Sequence, residues 1–330
     1  MNKIFHYHGA FDLSSVVNPK VRNMIPGYNL SQYEFIFISD CHIEAEADTI
    51  TDVVSKLEPS VAAIHQIHFF KDSTNVSLGY ILNKVLFGGW VAKMAIILDF
   101  LHLPAVVSAA LLVRKSVLEE CGGMSAFGQY LAEDFQIGKQ FDKKGYKCLI
   151  GDRLAWQNPA HCNLYDTFNR IIRWKKLRHT SNPLIILVEP ITQCFSLGTM
   201  TALAASHLFP SVDKIWLLFL LVHCCLWLGI DFVNFTNINV RFHIKFSRYT
   251  SQLDFFQKRC SKFRCLNFIK GWFLLEISAP VIHVITIWNR RVIWRGQEFY
   301  LYCGGKTIKA NKRSRKQSVK NLKTRPLINL

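Results

Sequence analysis

Three short stretches of the chain carry residues able to do polar chemistry. The first is Ser39-Asp40-Cys41-His42, where an apolar run stops at an acid. A carboxylate and an imidazole two residues apart can share a divalent ion, Mg²⁺ or Mn²⁺, and such an ion clamps a diphosphate. Asp40 can equally begin a turn or cap the helix that follows, and taken alone that is the better reading. The second is Glu133-Asp134, downstream of Gly122-Gly123-Met124 and the aromatic-rich AFGQY. A carboxylate at the mouth of a cleft can accept the proton of an attacking hydroxyl. At a helix start, Asp134 also fits an N-cap. The third is Arg170-Ile171-Ile172-Arg173-Trp174, followed by Lys175, Lys176 and Arg178. On a helix Arg170, Arg173 and Trp174 share one face. Two guanidiniums can hold a leaving diphosphate, and indole packs on sugar or lipid. A basic helix gripping anionic lipid uses the same residues.

Residues 1–183 supply the elements that would position these groups. Residues 33–40 (YEFIFISD) are aromatic and β-branched and end in an acid, which predicts a buried strand running into a loop. Residues 48–57 predict a helix with Ile50, Val53, Val54 and Leu57 on one face. Residues 61–69 predict a second strand. Residues 105–113 form a third apolar run, and 114–120 a short helix stopped by Gly122-Gly123. Strands alternating with helices imply an α/β sheet.

From residue 184 the pattern changes. Residues 184–209 and 215–235 are each apolar for roughly the 20 residues a bilayer span requires. The short linker at 210–214 makes them a hairpin. Residues 268–288 form a third, weaker segment containing Lys270, Glu276 and Pro280, which can span, re-enter or lie in the interface. Residues 78–101 are apolar too, but Lys84, Lys93, Asp99 and Gly88-Gly89 favour an amphipathic segment resting on the membrane. Glu189 and Glu276, inside apolar segments, are expected to avoid the lipid face, with Arg178 or Lys270 as partners.

Bulk properties agree with a membrane protein. The 330 residues are 50% hydrophobic, with a formal charge of +17. That charge suits an anionic membrane surface or a phosphate-bearing substrate. No zinc-finger spacing or aromatic RNA-binding signature points to nucleic acid. The ten cysteines form no CxxC pair, which excludes a zinc site or disulfide framework and suits a reducing compartment. The N-terminus lacks the apolar core of a signal peptide, and His6 and His8 read as a chain end rather than a metal site. The basic stretch 241–264 places that loop, and with it residues 1–183, in the cytosol. The basic tail, 306–325, conflicts with this rule if the third segment spans. The expected organisation is therefore 1–183 cytosolic, 184–305 membrane (hairpin 184–235, basic loop 236–267, third segment 268–288) and 306–330 a disordered tail.

The order of the three motifs, with a membrane hairpin after them, resembles the ceramide glucosyltransferases, a branch of the inverting GT-A glycosyltransferases. The resemblance runs from about Val17 to Gly305. It rests on Val17-Asn18-Pro19-Lys20, Asn23-Met24-Ile25-Pro26-Gly27-Tyr28, Val113-Arg114-Lys115 and Cys121-Gly122-Gly123. It continues in Gln129-Tyr130-Leu131-Ala132-Glu133-Asp134, the 170–178 run, Glu189-Pro190-Ile191, Trp294-Arg295 and Cys303-Gly304-Gly305. It implies an α/β fold, a partial GT-A domain followed by transmembrane helices in the Golgi membrane. It also implies UDP-glucose as donor, ceramide as acceptor and a divalent cation. By position Asp40 matches the family's metal or donor-phosphate acid, Asp134 its acceptor base, and Arg170, Arg173 and Trp174 its RxxRW motif. His65 matches a histidine near the active site, as does Glu133 beside the base. The family's uridine-binding first strand and its membrane anchor would lie upstream of this chain. Cys41-His42 departs from the small residues or second Asp that many relatives carry. Two other readings stand beside this one. They are another membrane transferase, such as a dolichyl-phosphate sugar or polysaccharide synthase, and an inactive truncated paralogue that binds lipid or a partner.

Overall fold

The computed structural model describes residues 13–104, 106–107, 109–159, 162–247, 263 and 265–310, without the side chains of 238–247. His6, His8, Asp12, the basic side chains of 241–264 and the tail beyond Ala310 lie outside the described residues.

The chain opens with α1 (Pro19–Leu30), started by the buried Asn18, whose side chain accepts the Lys20 and Val21 amides, and by Pro19 at the first helical position. Then come β1 (Phe35–Ser39), β2 (Ile43–Glu44), α2 (Thr49–Val54) and β3 (Val61–Phe70). Next follow α3 (Leu78–Val85), a π-helical turn (Leu86–Val91), α4 (Ala92–Phe100), β4 (Ala110–Arg114) and α5 (Lys115–Glu120). After these stand α6 (Glu133–Lys143), β5 (Lys147–Gln157) and α7 (Leu164–Ser181). The remainder is α8 (Ile185–Val188), α9 (Cys194–Leu208), α10 (Ile215–Ser247), α11 (Cys265–Trp288) and the strands β6 (Arg291–Trp294), β7 (Gln297–Leu301) and β8 (Thr307–Lys309).

Five strands form one sheet in the order β1-β4-β3-β5-β2. β3 and β5 pair in parallel and the other neighbours are antiparallel. All ten residues of β3 are buried, as expected of a strand covered on both faces. One covering layer contains Val21 and Ile25 of α1, Leu118 of α5, and Ile137 and Phe141 of α6. On the other side Phe69 and Phe70 pack with Leu82, Val85 and Phe87, and with Phe235, Phe268 and Trp272 of the apolar helices. One continuous core thus joins the sheet to α10 and α11.

The expected α/β sheet is present, with differences in detail. The helix expected over 48–57 is shorter, and its stripe is partial: Val53 is buried, while Ile50 and Val54 are exposed. Residues 78–101 do not rest on a membrane along their length. α3 and the π turn are buried, and Lys84 is held inside by an ion pair with Asp72. Apart from Leu78 at the start of α3, the exposed apolar residues of the segment are on α4 and just after it: Ile96, Ile97, Phe100 and Leu101. Residues 184–209 are not one straight span: the Ile185–Thr192 and Cys194–Leu208 pieces meet at 76°. Pro190 removes an amide donor there, and Glu189–Thr192 tightens to a 3₁₀ turn.

α10 contains a 23-residue apolar window, Ile215–Asn237, long enough to cross a bilayer and scarcely covered by protein. α11 is also long and apolar enough, and its helix starts at Cys265 rather than 268. Both its ends rest on the α/β part. Phe263, just before it, stacks edge-on against Tyr80, and His283 packs on His179 of α7. The strands after α11 return to α7, where Lys176 donates to the Arg291 carbonyl at 2.8 Å. Residues 307–309, expected to belong to the tail from 306, form the last strand of the small sheet.

Candidate active site

Asp40 leaves the end of β1, its amide bonded to the Ala109 carbonyl at 2.9 Å, and its own carbonyl accepts the Ile43 amide at 3.0 Å. The turn expected of it is therefore real, and its side chain is released toward α1. There the Lys20 ammonium lies 2.9 Å from Asp40 and 3.3 Å from Glu133. Asn18 donates to Glu133 at 2.9 Å and to the Tyr130 carbonyl at 2.7 Å. Two acidic motifs far apart in sequence are thus joined through the first turn of α1. Burial works against the Lys20 charge, but Glu133, Asp134 and Asp40 outweigh it, so the lysine stays protonated well above its ordinary range. Burial, with Asp134 adding to it, pushes the Glu133 carboxyl up, although Lys20 pulls the other way. Asp134 is the second residue of α6, not its cap; the cap position is Ala132. It is half-buried, and its carboxylate accepts the Phe135 amide at 2.8 Å.

His42 follows on the same loop. Burial lowers its pKa, with Arg170 and Lys20 adding to the effect and Asp40 opposing it, so the ring is neutral at neutral pH. His65 is buried in the middle of β3, opposite Leu111 and Ile150. His68, three residues further along the same strand, is held neutral down to about 3, first by burial and then by His65. Asp40 Oδ1 is taken by Lys20, so the donors left on this loop for a divalent ion are the second Asp40 oxygen and the His42 imidazole, with the rest of the shell to come from phosphates.

On α7, Arg170 stacks over Trp174 at 5.9 Å, and its guanidinium donates to Asn83 at 3.4 Å. Trp174 in turn packs edge-on against Phe87. Arg173 lies 5.5 Å from the Trp294 ring centre, and Arg295 covers the same ring at 5.5 Å. Arg295 and Gly296 both have positive φ, at 48° and 71°, between the paired Trp294 and Gln297. That is a two-residue hairpin turn, in which a side-chain-bearing residue at positive φ is costly. No carboxylate forms an ion pair with Arg170, Arg173 or Arg295 among the described residues. Burial, then Arg170 and Arg295, bring the Arg173 pKa down to about 10. The small sheet also clamps the two motif helices together. Gln136 of α6 donates to the Gly304 carbonyl, and the Gly304 amide donates to Thr180 of α7. Gly305, at φ 83°, lies so close that a Cβ would sit 2.6 Å from the Ser181 hydroxyl.

His179, Glu189 and His283 also cluster with their ligand atoms within 4.8 Å of one another. A cation fits poorly there, because the Lys175 ammonium already lies 3.2 Å from Glu189 and His179 bonds it at 2.6 Å. The group reads as an ion-pair knot that fixes the bend after α7. Glu189 and Glu276 do avoid open lipid, but with other partners than Lys270. Glu276 accepts the Cys194 amide at 2.9 Å.

With this geometry in view, residues 11–307 match the family model described as glycosyl transferase family 21. The chain belongs to that family. Among curated relatives it is similar to ceramide glucosyltransferase 1 of Caenorhabditis elegans, with 31% identity over 91% of this chain and 60% of the relative. Ceramide glucosyltransferase 3 of the same organism is 28% identical over 88% of this chain and 59% of the relative. The ceramide glucosyltransferase of Candida albicans is 26% identical over 52% and 32%. The chain thus spans about three-fifths of the length of the two nematode relatives. Within this family 21 chain, Lys20, Asn18, Trp294 and Arg295 are in contact with the motif acids and arginines, and the motifs alone do not point to them. The blocks containing them stand out in the sequence, but nothing local in them tells which distant acid or arginine they meet.

Proposed function

We propose that this protein transfers glucose from UDP-glucose to ceramide, with inversion at the anomeric carbon. The observation that carries the reading is the set of three guanidiniums, Arg170, Arg173 and Arg295, gathered without a carboxylate partner among the described residues of a family 21 chain. Like charges held together and partly buried are stabilised by a polyanion, and a diphosphate is a bidentate match for guanidinium. In the transfer the ceramide hydroxyl oxygen attacks the anomeric carbon and gives its proton to Asp134. The carbon–oxygen bond to the diphosphate breaks, and its electron pair leaves with UDP. Arg170 and Arg173 stabilise the charge that develops on the departing group. Lys20 and Asn18 hold Glu133, and with it the start of α6, so that Asp134 keeps its place. A divalent ion bound by Asp40 and His42 would supply further charge neutralisation at the diphosphate.

The membrane arrangement that goes with this has α9 and α10 together in the bilayer as a hairpin, which returns the chain to the α/β part, and the exposed apolar end of α4, with α8, at its surface. The α/β part then lies in the cytosol, at the Golgi membrane. Free cysteines throughout the described residues support a reducing side. The experiment that tests the site assignment measures UDP binding and turnover together. Arg173→Ala is expected to weaken UDP binding and slow transfer, while Asp134→Asn leaves UDP binding in place. Equal UDP affinity in Arg173→Ala and the wild type would remove the guanidinium cluster from the reading.

A further inference from the structure

A partly open cavity is lined in part by Trp174. Its empty space, open mouth included, is about 800 Å³. Ile171, Trp174, Lys175 and Arg178, which recur on one face of α7, form one wall. The π turn and α4 form the second, and α10 and α11 the others. The lining is mostly apolar, with Phe268, Trp272 and Ile282 prominent. Trp174 is therefore shared. One neighbour of its ring is the Arg170 guanidinium, and it also lines the cavity.

Two acids of the apolar helices reach this cavity. Asp231 of α10 is ion-paired to Lys93 at 2.6 Å and accepts the Trp272 indole N–H at 3.0 Å. Glu276 of α11 lines it as well. Ionisable groups in segments apolar enough for a bilayer are costly, and they mark functional sites when they face a cavity rather than lipid. The three cations of the lining each have a partner: Lys93 is held by Asp231, Lys175 by Glu189, and Arg178 lies 4.3 Å over the Trp90 ring with the Glu189 charge acting on it. A balanced set of donors and acceptors suits an uncharged hydrogen-bonding head, whereas a phosphate-bearing head needs cations without partners. Gly89 adds a second kind of evidence. It is buried, it lines the cavity, and a Cβ built on it meets nothing within 4 Å. Room is thus left within the packed side of the π turn, a local geometry often found at functional sites.

We propose that this cavity seats the acceptor lipid, its apolar walls taking acyl chain and its Lys93–Asp231 pair and Glu276 taking uncharged amide and hydroxyl groups. The proposal rests on the ceramide reading above and assigns it a place. The test uses the full chain in detergent or nanodiscs, with a photoactivatable ceramide carrying a diazirine in its acyl chain. Adducts are expected on peptides covering 85–93, 227–231 and 272–282, and Gly89→Phe should abolish them. Kinetically, Gly89→Phe should raise KM for a long-chain acceptor about tenfold or more and leave KM for UDP-glucose unchanged. Glu276→Gln, which keeps an acceptor for the Cys194 amide, should raise the lipid KM while the protein stays folded. Equal labelling by a diazirine phosphatidylcholine, adducts unaltered by Gly89→Phe, or an unchanged lipid KM in both variants would overturn the assignment. Cross-linking needs no turnover. Cavity adducts without glucose transfer would sink the activity and spare the cavity, and transfer with adducts elsewhere would do the reverse.

Discussion

Replacing Lys20 by Met removes the cation between Asp40 and Glu133 while keeping a similar side-chain volume. Breaking a buried ion pair by deleting one partner costs about 3–5 kcal/mol, because the remaining charge stays buried. Here Lys20 and Asp40 keep 21% and 28% of their side-chain exposure, and Asn18 still bonds Glu133. The expected cost is therefore about 2–3 kcal/mol, below that range because water reaches part of the site. The sign of the pH dependence follows from Glu133. Its carboxyl is already raised in the folded protein by burial, so the folded state binds a proton more tightly than the unfolded one, and stability falls as pH rises between the two values. Without Lys20 the folded value climbs further, and the window extends upward. The variant should be most destabilised at pH 8 and recover on acidification to pH 5.5, as Glu133 takes up its proton. Followed by tryptophan fluorescence on heating, the pH 8 loss corresponds to a fall of roughly 5–10 °C, at about 2–4 °C per kcal/mol for a chain this large. Adding Glu133→Gln should return part of it. An equal fall at both pH values, or a double variant no more stable than Lys20→Met, would refute the bridging role.

Other expectations are as direct. General-base assistance is worth about 10²–10⁴-fold in rate, so Asp134→Asn should lower turnover by that order and leave KM for UDP-glucose nearly unchanged. Wild-type turnover would make Asp134 a structural residue only. Gly305→Ala combines an unfavourable φ with the close Ser181 hydroxyl, so it should loosen the small sheet from α7. Faster proteolysis after residue 288, at unchanged secondary structure by circular dichroism, would report this, and wild-type resistance would count against the clamp. Asn75 is exposed and belongs to an Asn-Val-Ser sequon. On a cytosolic face it should bear no glycan, whereas a glycosidase-sensitive mass shift lost in Asn75→Gln would reverse the proposed orientation.

How much was legible in the sequence depended on the range of the interactions. The β1 run ending at Asp40, the β3 run and the glycine stop after α5 were readable because period, apolarity and turn chemistry are local. α1 was passed over although Asn18-Pro19 is a good helix start, because Pro26-Gly27 inside it reads as a turn. Lys84 is held inside the fold, although Leu78–Phe100 is long and apolar enough for a span. Its partner Asp72 could not be foreseen, so interior burial was mistaken for an amphipathic surface. The bend after α7 had a local sign in Pro190, but the knot of Lys175, His179, Glu189 and His283 that holds it assembles only in three dimensions. The same applies to the active site. Asp40, Glu133, Asp134, Arg170 and Arg173 could be named from their motifs, whereas Lys20 and Arg295 acquire their places from pairing across the fold.

The most direct test of the central claim is the product made from UDP-glucose and ceramide by membranes containing this protein, expressed in cells that make no glucosylceramide of their own. The account predicts β-linked glucosylceramide from the wild type, formed with release of UDP, and little or none from Asp134→Asn expressed at the same level. A wild-type protein that is folded and inserted but yields no glucosylceramide, or product formed equally by Asp134→Asn, would contradict it.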